Sequence, residues 1–263
     1  MSQFVADTGE ADLPAVLCLH SLFLDHTMFD GFARAVAGRF RVVRPDFRGQ
    51  GASGDASTTV TMDDCADDVL ALLDRLGLDR VHVVAQSMGG DVAVRIAARR
   101  PDAVDRMVLL GSSAREEPAE HLEAFRPIVD EVARNGFAGE LLETTMQIMF
   151  GETVRSDPSR AALLAPWRDH IAALRPGLSH AIRGVVERPS AVALLPRITA
   201  TTLVVSGGED HARPPEWSDE LVRGIADAEL WSLPTTGHSV ILERPDEVVA
   251  RVVEFLSEGR EAS

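Results

Sequence analysis

Six short runs of near-continuous apolar residues dominate the chain: "AVLCLH" (15–20), "RVVRPD" (41–46), "RVHVVAQ" (80–86), "RMVLLGS" (106–112), "TTLVVSG" (201–207) and "AELWSLP" (228–234). Strands covered on both faces read this way, whereas half-exposed strands alternate. Most of the runs are separated by segments with apolar residues at helical spacing, the pattern of a parallel sheet flanked by helices. The clearest helix is expected over 62–76, where Met62, Cys65, Ala66, Val69, Leu72, Leu73 and Leu76 form one stripe. Thr61 stands at its N-cap and Gly77 ends it. After Pro245, residues 246–256 give a closing helix of the same kind, and the first ten residues supply one edge strand at most. The 263 residues suit one α/β domain with an insertion.

That insertion is residues 115–200, where the alternation stops. Helical stripes such as Phe137, Leu141, Thr145, Ile148 and Met149 replace strand patterns, and seven prolines from Pro118 to Pro196 punctuate them. A connection of this length exceeds what joining two strands requires. The expected organisation is a core of residues 1–114 and 201–263 with a helical cap, 115–200, over the carboxyl ends of the strands, where open α/β sheets bind ligands.

Charge narrows the function. The formal net charge is −15, from 41 acidic and 26 basic residues, and every basic residue is Arg. Such a surface repels polyanions and anionic membranes, so neither nucleic acid nor a membrane is an expected partner. Without Lys there is no Schiff-base chemistry and no phosphate-binding lysine. Cys18 and Cys65 sit in apolar and helical runs without metal-ligand spacing and read as small buried residues. No basic leader and no membrane-length apolar stretch is present, which reads as a cytoplasmic protein.

The stretch "VHVVAQSMGG" (81–90) runs a strand straight into Ser87 and on into the helix-like "MGGDVAVRIAARR". Ala85 and Gly89 are the small residues that so tight a turn needs on either side, and the pattern is small-x-Ser-x-Gly. A turn of this shape lifts the serine hydroxyl to the top of the sheet and leaves the Met88 N–H at a helix start, where developing negative charge is favoured. Serine is also a common N-cap in strand-to-helix turns, and the decapeptide alone does not choose between the two readings.

A nucleophilic serine needs a base, and the base an orienting group. Of the eight histidines, His82 lies within a strand run, and His121, His170 and His180 lie in the cap without pairing. His238 follows Gly237 just past the last strand run, at the same sheet edge as Ser87. Asp210, in "SGGEDHARPP", lies just past the fifth. The order Ser87, Asp210, His238 is that of a Ser, acid, His triad.

With these residues in hand the chain resembles the α/β-hydrolase fold superfamily over nearly its whole length. The motifs are "LHSLFLDHTMFD", "RPDFRGQGAS", "AQSMGG", "GGEDHARPP" and "GHSVILERPDEV". The block "HSLFLDHTMF" with "SMGG" is most similar to the aryl esterase and cofactor-free perhydrolase branch. The resemblance implies a mostly parallel central sheet with helices on both faces and a helical cap, and no metal or organic cofactor. It also implies a second oxyanion donor beyond the His-Gly dipeptide; here that dipeptide is His20-Ser21, which makes the Leu22 N–H the partner of Met88, with Ser21 in place of glycine.

The expected reaction is acyl transfer from a small or medium apolar ester to water. Phe125, Phe137, Met146, Met149, Phe150 and Trp167 are the candidate pocket residues, although side chains at helical spacing also read as plain core. The same triad also serves enol-lactone and carbon–carbon bond hydrolysis and perhydrolysis, which product analysis separates. A hydrolase-fold receptor with little turnover is the reading from another class. A dehalogenase would need Asp where Ser87 stands. A sheet edge near the N-terminus leaves association into a homo-oligomer open.

Overall fold

In the computed structural model, which describes residues 3–258, the six apolar runs and a short N-terminal segment form one seven-stranded sheet. Its strands are β1 (Val5–Asp7), β2 (Ala15–Leu19), β3 (Arg41–Pro45), β4 (Val81–Gln86), β5 (Val104–Leu110), β6 (Thr201–Gly207) and β7 (Ala228–Leu233). They lie in the order β1-β3-β2-β4-β5-β6-β7, and every pairing is parallel except β1 with β3. All of β2 and β4 is buried, as strands with both faces covered require. β7 departs from the expectation of full burial. As the far edge of the sheet it exposes Glu229, Leu230 and Ser232 and buries Leu233.

The helices are α1 (Asp30–Ala35), α2 (Met62–Leu76), α3 (Met88–Arg99), α4 (Ala119–Asn135), α5 (Gly139–Met149), α6 (Glu152–Ser156), α7 (Ala161–Ala172), α8 (Ser179–Val186), α9 (Pro215–Gly224), α10 (Val240–Glu243) and α11 (Pro245–Ser257). α2 begins as its sequence requires: the Asp64 N–H donates to Thr61 Oγ1 at 3.0 Å and the Thr61 N–H donates back to Asp64 Oδ2 at 3.1 Å. Gly77 ends it in the left-handed conformation, φ 65°. From β2 the chain crosses to β3 on one side, and from β3 it returns past β2 to β4 on the other. Right-handed crossovers therefore put α1 and α2 on opposite faces, with α11 packed beside α1 and α3 beside α2.

β2 and β4 are neighbours from whose carboxyl ends the chain departs in opposite directions, which opens a crevice at the top of the sheet. The stretch between β5 and β6 is helical, carrying α4 to α8 and no strand among the described residues. Pro127 and Pro166 lie inside α4 and α7 rather than between helices, each removing one intrahelical donor. No helix among the described residues is long and apolar enough to cross a membrane.

Candidate active site

Ser87 sits directly between β4 and α3 with φ 54° and ψ −113°, a backbone conformation that L-residues with a Cβ rarely adopt. Its N–H donates to Leu110 O at 2.9 Å on β5, and its C=O accepts from the Gly90 N–H at 2.8 Å. Gly89 explains how the turn stays tight: a Cβ there would stand 2.2 Å from Leu19 O, so α3 starts against the end of β2. Met88, as the first helical residue, has no intrahelical acceptor for its N–H.

Two loops bring titratable side chains to the same edge. His238 Nδ1 lies 2.9 Å from Asp210 Oδ2, which defines Nδ1–H as the donor to the carboxylate. The other oxygen of Asp210 accepts from the Ala212 and Arg213 N–H groups at 2.9 and 2.8 Å. All three side chains are buried, Ser87 5% exposed, Asp210 3% and His238 2%. Gln86 Nε2, from the residue before Ser87, donates to His238 O at 2.6 Å and ties the histidine loop to the elbow. Beneath them Gly111 has φ 48°, and a Cβ there would reach 2.8 Å from His238 O and 3.1 Å from Asp210 Oδ2. Only glycine meets both demands. Among the described residues no hydrogen bond joins Ser87 to His238; both line one cavity. Contacts of this kind often tighten only when substrate is bound.

The loop after β2 is held from behind. His20 is fully buried, and burial pushes its pKa below the usual histidine value. As the neutral ring it accepts from the Phe47 N–H at Nε2 (3.0 Å) and donates from Nδ1 to Ser21 O (2.8 Å). Fixing the Ser21 carbonyl fixes the plane of the trans Ser21–Leu22 peptide, and with it the direction of the Leu22 N–H on the opposite side. That N–H has no partner among the described residues. Ser21 itself needs no glycine, because its φ is not positive. The left-handed residue of this loop is Phe23, φ 67°. Phe23 and Ser87 are the two non-glycine residues of positive φ among those described, and both line the cavity.

The cavity has a volume of about 260 Å³. Ser87 and His238 meet it beside Leu22 and Phe23, and its apolar wall includes Phe125, Ile148, Met149, Ile182, Val185 and Val186. Of the pocket residues expected from sequence, Phe125 and Met149 are in this wall. Phe137, Met146 and Phe150 are instead buried in the core, and Trp167 packs against that core partly exposed. Phe137 still backs the wall, its ring centroid 5.5 Å from that of the cavity residue Phe23. Val185 and Val186 carry no separate signal in the sequence, because α8 buries them together with Ala181 and Ile182.

A polar corner of Glu117, His121, His211 and Arg213 completes the cavity and was not legible in advance. Behind it lies a buried ionic network. Arg188 lies 2.8 Å from Glu117 and 3.2 Å from Asp91, and Arg213 lies 2.8 Å from Glu117 and 3.4 Å from Asp91. Two arginines hold Glu117 below the usual carboxylate range despite its burial. The network joins both ends of the stretch between β5 and β6, at Glu117 and Arg188, to α3 and to the loop of Asp210.

Set beside known proteins, residues 14–245 match the family described as alpha/beta hydrolase fold. A malate-bound thermophilic esterase from Thermogutta terrifontis superposes with a TM-score of 0.88 at 30% identity, covering 97% of this chain and 93% of that one. An enol-lactonase from Burkholderia xenovorans gives 0.88 at 28% identity over 97% and 96%. An sn-1-specific diacylglycerol lipase from Mus musculus is 27% identical over 95% of this chain and 83% of its own length.

Proposed function

The chain belongs to the alpha/beta hydrolase fold family, and on that premise we propose that it is a serine hydrolase cleaving small or medium apolar carboxylic esters through an acyl-enzyme. The observation that carries this reading is the Asp210–His238 hydrogen bond at the wall of a mostly apolar cavity that a strained Ser87 also lines.

His238 Nε2 takes the Ser87 proton as Oγ attacks the ester carbonyl, and Asp210 stabilises the imidazolium through Nδ1–H. The carbonyl oxygen, now anionic, accepts from the N–H groups of Leu22 and Met88, each worth about 3–4 kcal/mol of transition-state stabilisation. His238 then protonates the departing alcohol. Water adds to the acyl-enzyme with His238 as base, and collapse returns the acid and free Ser87. Every step uses groups of the chain and water alone. In this reading residues 115–200 are a cap that supplies the apolar wall, and residues 1–114 with 201–263 are the core that supplies the chemistry.

Similarity to the enol-lactonase supports a second reading, cleavage of an internal ester by the same steps, with the leaving enolate still tethered to the acyl group. Hydrolysis of p-nitrophenyl esters from acetate to decanoate, alongside enol-lactones with product analysis, tests both. Turnover of either class that disappears in Ser87→Ala supports the proposal, and equal turnover by that variant rejects it.

A further inference from the structure

Glu243 closes α10 directly behind the histidine loop and is 2% exposed. Its carboxylate is not paired with any arginine among the described residues. Its partners are two backbone amides: Gly237 N–H donates to Oε2 at 2.9 Å, and Gly151 N–H reaches both oxygens at 3.3 Å. A carboxylate held by amides alone is expensive to keep ionised, and burial pushes Glu243 up to about 7.

The two amides come from segments 86 positions apart in the chain, Gly151 and Gly237. Gly237 immediately precedes His238. Gly151 separates α5, whose last residue Met149 lines the cavity, from α6. One further bond joins the same segments, Ser239 N–H donating to Met149 O at 3.0 Å, while Thr153 N–H donates to Glu209 Oε2 at 2.8 Å and ties the same stretch to the acid loop. The backbones touch, since a Cβ on Gly237 would stand 2.1 Å from Gly151 N. We propose that Glu243 is a positioning residue that clamps the cap segment around Gly151 to the histidine loop, so that the base and the Met149 wall of the cavity are set as one unit. This rests on the reading of His238 as the base. The groups that face Glu243 are His238 on the histidine loop and Asp210 on the acid loop, with Glu209 of the same acid loop reaching the Gly151 backbone.

The test compares wild type with Glu243→Gln, which keeps the shape but turns an N–H donor toward one of the two amides, and with Glu243→Ala. At about pH 8, Glu243→Gln labels Ser87 with a fluorophosphonate roughly tenfold to hundredfold more slowly, and kcat on a short ester falls by the same factor with KM within about twofold. The Gly151 and Gly237 amides exchange faster. At about pH 5.5, where the wild-type carboxyl is protonated, the labelling rates of wild type and Glu243→Gln converge. A cooperatively melting Glu243→Gln that labels at the wild-type rate at both pH values, with unchanged exchange at Gly151, overturns the clamp. So does a deficit of equal size at both pH values, which marks a general structural defect. Unlabelled wild type defeats the hydrolase reading separately, and exchange at the two amides then still decides whether the clamp exists.

Discussion

Ser87 and Phe23 are the described non-glycine residues of positive φ, and both line one cavity. Strain of this kind costs on the order of 1–3 kcal/mol per residue and persists where surrounding structure enforces it. Asp210→Asn preserves shape but presents an amide where His238 Nδ1–H needs an acceptor, so kcat is expected to fall about 10³–10⁴-fold with little change in KM, measured on a p-nitrophenyl ester. Glu243 gives the pH dependence. Its folded pKa of about 7 lies above its ordinary value of 4.5, so the native state holds this proton more tightly than the unfolded chain. The contribution to stability is therefore greatest below about pH 4.5 and is lost as pH rises through about 7. In urea unfolding, Glu243→Gln should gain on wild type by up to about 3 kcal/mol between pH 4.5 and pH 8. A constant difference across that range contradicts the buried carboxylate.

The helical stretch between β5 and β6 is fastened to α3 and to the loop of Asp210 through buried charge. Arg188, Asp91, Glu117 and Arg213 are all buried, and each acid touches both arginines. Breaking one member leaves uncompensated charge, so Arg188→Met is expected to lose about 3–5 kcal/mol in denaturant unfolding. None of these pairings could be read from the sequence. Their members lie up to 122 positions apart, from Asp91 to Arg213, and each alone looks like one more residue of a charged surface. α2 was legible because its signals are local: the Thr61–Asp64 box, the apolar stripe and Gly77 all act within one element. β7 was legible as a strand but not as an edge, because its neighbours are set by topology rather than by its own residues.

For the molecule as a whole, strand order explains why three distant loops meet. β2, β4, β5, β6 and β7 run parallel, so the loops after them share one edge, and the reversal between β2 and β4 opens the crevice there. The parallel sheet, the elbow and the placement of Asp210 and His238 at strand ends follow from apolar runs and turn residues that the sequence displays. The cavity wall does not, because it is built across elements: Phe125 from α4, Met149 from α5, Val185 from α8 and Phe23 from the loop after β2. With about 260 Å³ available, kcat/KM should rise by up to about fourfold per added acyl methylene and then fall once the cavity is full. Met149→Ala should move that optimum to longer chains, and an unchanged optimum excludes this cavity as the acyl site. The central claim is that Ser87 is an activated nucleophile with His238 as its base. Fluorophosphonate treatment of the purified protein with mass mapping tests it most directly: the account predicts one adduct per chain on Ser87, absent in Ser87→Ala and severely slowed in His238→Ala, whereas folded protein that stays unmodified, or is modified at another residue, contradicts it.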